Sequence, residues 1–134
     1  VPAFAPGEAR GLTRAALPLG LFFYAALAAC ARPDPAQLAR AADSRSGGGV
    51  FTWLAEHDPS ALVVVGVDPA TARAVSPDAR VILARDVKSG CRRALAQHAL
   101  LAARVANGSN ERQLADDCGF ALFRDDATIV VAPR

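Results

Sequence analysis

Methionine is absent from the 134 residues, so with a first residue of Val1 either the initiator is expected to be removed or the start codon is unusual. Charge of either sign is scarce in excess: 15 basic against 13 acidic side chains leave +2. That balance excludes a nucleic-acid partner argued from net charge, and no basic run exceeds two residues, so there is no polybasic membrane patch. There is no Gly-x-Ser-x-Gly elbow for a serine nucleophile. No local His/Cys spacing suits a metal, and no metal or other cofactor is expected. No internal repeat is visible. Apolar residues make up 52 % of the chain, but much of that is alanine, which buries little area. The core must therefore rest on Leu, Val, Ile and Phe, and the length allows one ordinary domain.

The informative part comes first in the chain. Arg10 and Arg14 precede an uncharged run from Ala15 to Ala29 that ends in small residues. A bilayer core of about 30 Å needs roughly 20 apolar helical residues, and this run is shorter. A basic start, a short apolar centre and a small-residue exit describe a cleavable export signal. An uncleaved anchor and a buried helix are the competing readings, and Pro18 and Gly20 count against the helix.

Leu27-Ala28-Ala29-Cys30 resembles the lipobox of bacterial lipoproteins, a likeness confined to residues 1–30. It implies diacylglyceryl transfer to the Cys30 thiol, cleavage before it, and acylation of the new amino terminus, palmitate being a typical acyl group. More than one acyl chain holds a protein stably on a membrane. The resemblance places the protein in the cell envelope, with the membrane as one partner and an envelope protein of unknown identity as another. Ala31 after the cysteine leans towards the outer membrane.

The expected organisation is a signal at 1–29, a lipid-anchored tether at 30–49 and a domain at 50–134. Arg32-Pro33-Asp34-Pro35 and Ser44-Arg45-Ser46-Gly47-Gly48-Gly49 read as linker. Gln37 to Asp43 has room for a turn or two of helix. A flexible tether of this length would span roughly 24 Å. The glycine triplet lacks the Lys-Ser/Thr that a phosphate-cradling loop needs.

Beyond it, Val50–His57 reads as a short helix and Leu62–Val67 as a strand covered on both faces. Asp68-Pro69 opens a helix to Val75, and Arg80–Ala84 is a second strand, paired in parallel or antiparallel. Asp86 caps a long helix that is expected to run to Ala106 with Cys91, Leu95, His98, Ala102 and Val105 as its apolar stripe. His98 is then a buried helix residue, and His57 a solvated one. A short helix from Ser109 and a hairpin of 120–123 with 127–132 close the chain. The fold class is α+β or α/β: a small mixed sheet of about four strands packed by two or three helices.

With Cys30 lipidated, Cys91 and Cys118 are left as one pair for an oxidising compartment. The bridge would close a loop of about 28 residues, worth roughly 3–4 kcal/mol. No catalytic residue is assigned: His98 lies two helical turns, about 10 Å, from Cys91. Lys88, Arg92 and Arg93 at a helix start are the best candidate anion site. Two functional readings follow. One is a non-catalytic binding or assembly module of the envelope, its surface being the closing hairpin or the basic helix start. The other is a ligand-binding or enzymatic α/β domain with its site at the strand ends, near Asp68 and Asp86.

Overall fold

Helix starts and stops in this chain are written in cap residues, and they divide it finely. The computed structural model describes residues 33–134; the signal at 1–29 and Cys30 lie outside these. Asp34 caps helix α1 (Pro35–Ser46), accepting from the Ala36 N–H at 3.3 Å, and Gly47 ends it in the left-handed region at φ 78°. There follow α2 (Val50–His57), β1 (Ala61–Val65), α3 (Pro69–Val75), β2 (Arg80–Leu83), α4 (Val87–Gln97) and β3 (Leu100–Arg104). The chain closes with α5 (Asn110–Cys118), β4 (Gly119–Arg124) and β5 (Thr128–Pro133).

The sheet order is β2-β1-β3-β5-β4, with β1 parallel to both β2 and β3, and β5 antiparallel to β3 and β4. The described residues form a mixed α/β fold with five strands and five helices. The chain steps from β1 to β2 on one side, then back past β1 to β3 on the other. Keeping one crossover hand while reversing direction requires the connecting helices to take opposite faces. They do: Ala72 and Val75 of α3 pack with Leu62, Val64, Ala102 and Val130, whereas Val87 and Ala94 of α4 pack with Val63, Leu101, Ile129 and Val131. Strand side chains alternate between the two faces, so both cores share the same strands. Gly90 lets α4 lie on the sheet; a Cβ there would meet Val65 Cγ2 at 2.8 Å and Leu101 Cδ1 at 3.1 Å.

Two expectations need correcting. The stretch up to Gly49 is not all tether: α1 buries Ala39 and Ala42 against α2 and α3, so the folded unit begins at Asp34. Small side chains that look unfit to build a core are what let α1 come close. Second, the long helix stops at Gln97, because His98 turns left-handed at φ 52° and donates its N–H back to Leu95. Leu100–Arg104 becomes the central strand, and Leu95 and His98 are exposed. A run of Leu and Ala fits a helical stripe and a two-faced strand equally well. The expected small mixed sheet packed by helices is present, with five strands and five helices among the described residues. Parallel pairing of β1 with β2 resolves the open choice.

Cys91 on α4 and Cys118 at the end of α5 are bridged, with Cα atoms 6.1 Å apart and a sequence separation of 27. The closed loop contains the central strand β3. Replacing both cysteines by serine should lower unfolding stability by about 3–4 kcal/mol. Urea titration with and without reductant checks this: the reductant should shift the wild-type midpoint and leave the double variant unmoved.

Candidate functional site

Open α/β sheets usually bind ligands beyond the carboxyl ends of strands, where the chain reverses its direction across the sheet. Here that point lies between β1 and β3. Arg104, the last residue of β3, donates through Nη2 to the Ser46 carbonyl of α1 at 3.0 Å. A side chain and a helix end thus meet at this point.

The two strand-end aspartates serve their own helices. Asp68 accepts from the Thr71 hydroxyl at 2.5 Å, and Asp86 from the Ser89 N–H at 2.8 Å. The Thr71 hydroxyl, helped by the N–H groups of Ala70 and Thr71, holds the Asp68 carboxyl below its ordinary pKa. Ser89, through its N–H and then its hydroxyl, does the same for Asp86, with Arg85 and Arg92 adding to it. Asp68 lines a cavity of about 240 Å³ with Thr71, Arg45 and Phe51, and Asp86 is not part of it. Two carboxylates with depressed pKa, each satisfied locally, make poor general bases at neutral pH.

The basic helix start fares similarly. Lys88, Arg92 and Arg93 all belong to α4, but Asp86 already places a carboxylate on the N-terminal donors that an anion would use. Arg93 turns away, donating through Nη1 to the Leu83 carbonyl at 2.9 Å. The three do not converge on an anion. His57 is exposed as expected; its ring stacks on Trp53, with centroids 4.1 Å apart, and its Nδ1 lies 2.9 Å from the Trp53 carbonyl oxygen.

What sequence reading missed is the neighbourhood of the glycine triplet. Asp43, buried at the end of α1, accepts from the N–H groups of Phe51 (2.9 Å) and Thr52 (2.8 Å) and from the Thr52 hydroxyl. Asp125, from the β4–β5 turn, accepts from the Gly49 N–H at 2.9 Å with one oxygen. Its other oxygen accepts from Ala127 and Thr128, both at 2.8 Å. The first donors of α2 are therefore consumed by two carboxylates, which excludes a phosphate there. Buried Arg112 locks the same turn from behind, donating through Nη2 to the carbonyls of Asp125 and Asp126. Above this junction lies an open groove of about 550 Å³, walled by Arg40, Thr52, Trp53, Glu56 and Phe123. Trp53 and Phe123 touch across it at 6.2 Å between centroids. The only sequence signal for this junction is three glycines that read equally well as linker.

Among the described residues, no group of three or more His, Cys, Asp or Glu side chains is placed to hold a metal, and no helix is long and apolar enough to cross a membrane. No family profile, curated protein or solved structure matches this chain.

Gly48→Ala tests the junction, since its Cβ would meet Asp125 Oδ2 at 2.7 Å and that carboxylate is pinned by three N–H donors. The variant should lose about 1–3 kcal/mol of stability by chemical denaturation. The helix caps test in pH. Because folding lowers the pKa of Asp68 and Asp86, their contribution is complete above the ordinary carboxylate pKa and is lost as pH falls through the depressed values. Asp68→Asn with Asp86→Asn should flatten the acid limb of a stability-against-pH curve, and an unchanged limb would contradict the assignment.

Proposed function

We propose that this chain is an exported bacterial lipoprotein, anchored through Cys30, whose domain works as a non-catalytic binding or assembly module at the cell envelope. One observation carries the reading. Cys91 and Cys118 close on each other inside the domain, which leaves Cys30 as the one thiol outside that bridge. Structural disulfides persist in oxidising compartments such as the periplasm or cell surface. The lipobox-like Leu27-Ala28-Ala29-Cys30 supplies the complementary chemistry, a thiol reserved for a diacylglyceryl group. The Ala31 that follows favours the outer membrane.

A module without catalysis is supported by how the polar groups are spent. Asp43, Asp68, Asp86 and Asp125 each cap a helix or pin a turn, and Arg104 and Arg112 each hold backbone carbonyls. No pair of them is left facing a shared cavity in the manner of an acid and a base. The face offered to a partner is the closing hairpin, where Phe120 and Leu122 stand exposed.

Cells fed labelled palmitate should incorporate it into the wild-type chain and not into Cys30→Ala. Mass spectrometry of the mature protein from membranes should show cleavage before Cys30 and an intact Cys91–Cys118 bridge. Equal labelling of both chains would overturn the proposal.

A further inference from the structure

The two edges of the sheet are treated differently. At the β2 edge the strand is four residues long, Arg80 begins it, Arg85 follows it, and Arg93 occupies the Leu83 carbonyl. Charged side chains and shortness are how sheets blunt an edge. The β4 edge is longer, at six residues, and its one charged side chain, the terminal Arg124, is paired with Asp116; Gly119 to Phe123 are uncharged, and Phe120 and Leu122 are 68 % and 47 % exposed. An edge strand left apolar is a template for one more strand.

Which groups face outward follows from the ladder. Arg134 donates its N–H to the Cys118 carbonyl and Asp125 its N–H to the Thr128 carbonyl, flanking the pairs Gly119–Pro133 and Arg124–Ile129. In an antiparallel ladder such flanked residues turn their own N–H and C=O away from the partner strand. Alternation from Gly119 makes Ala121 the next outward residue, and Arg124 is outward at the other end. These two are three positions apart, so in a regular strand they would point opposite ways. The bulge between Ala121 and Phe123 removes that mismatch and sets both on the open edge.

That arrangement is self-complementary. We infer that two copies of this chain pair through β4, antiparallel about a two-fold axis, with Ala121 opposite the partner's Arg124, making one ten-stranded sheet from two of five. Charge supports the choice of a second copy. Arg134 sits over Phe120 at one end of the strand, 5.6 Å from the ring centroid, and Asp126 stands exposed in the turn at the other end. Antiparallel self-pairing sets the Arg134 end against the Asp126 end twice. A single-strand edge buries less than the roughly 1,200 Å² of a stable interface. The pairing is therefore weak in dilute solution and is strengthened by confinement to a membrane surface. It rests on the assembly half of the proposed function, and gives that assembly a partner.

The test uses the full chain in its own membranes, with a benzophenone amino acid replacing Leu122, and replacing Leu83 on the opposite edge as control. Illumination should give an adduct of twice the chain mass from position 122 and none from position 83. Phe120→Lys should lower its yield at least fivefold. Asp126→Arg should lower it too, and Asp126→Arg combined with Arg134→Glu should restore it, which loss of folding would not allow. No adduct from position 122, an adduct only with some other protein, or failure of the charge swap to restore yield overturns the pairing. Palmitate incorporation, measured on the same membranes, reports the anchoring separately, so either idea can fail alone.

Discussion

A helix that starts in the middle of a protein leaves unbonded N–H groups, and this domain meets that demand at α2 with carboxylates from elsewhere in the chain. Asp43 reaches forward from α1 and Asp125 reaches across from the β4–β5 turn, one for the donors of Phe51 and Thr52, the other for Gly49. These few bonds join three parts of the chain: the α1–α2 corner, the glycine turn, and the hairpin at the far end of the sequence. Backbone N–H groups donating to a charged carboxylate make stronger bonds than neutral pairs, and removing the carboxylate strands those donors. Docking of α1 on α2 and α3, placement of Trp53 beside Phe123 and the shape of the groove there all depend on this junction. The same economy explains why the aspartates and arginines of this junction end in architecture. Asp43, Asp86, Asp125, Arg93, Arg104 and Arg112 each already hold a backbone group.

How much of this is written plainly in the sequence depends on whether a signal is local. Asp68-Pro69, Asp86 and Ser109 are cap chemistry, and each marks a real helix start. Leu62 to Val65 is apolar throughout because both faces are covered, and the structure buries every residue of β1. The hairpin is legible for the same reason, two apolar runs around Arg124-Asp125-Asp126. The Cys91–Cys118 bridge follows from counting thiols once one is set aside. The central strand was not legible. Leu100-Leu101-Ala102-Ala103 has no β-branched residue, and only its position between β1 and β5 makes it a strand. Nor was α1, whose core contribution rests on two alanines, Ala39 and Ala42, in a stretch bounded by prolines and glycines. Bonds such as Gly49 to Asp125, 76 residues apart, leave no local trace at all.

The candidate site shows the same division. Lys88, Arg92 and Arg93 share a helix start, as expected from their spacing, but one cap carboxylate and one carbonyl decide what they do there. Sequence reveals which charges are near one another along the chain and does not reveal which backbone groups need them.

The order of strands has a consequence for how the chain is made. The strand that joins the parallel half of the sheet to the antiparallel half is β3, and it leaves the ribosome after both β1 and β2. Until it arrives, the first two strands have no inner neighbour, and the covalent bridge that spans it has neither end secured. A nascent polypeptide built this way can complete its sheet only once Leu100–Arg104 and the closing hairpin have been synthesised.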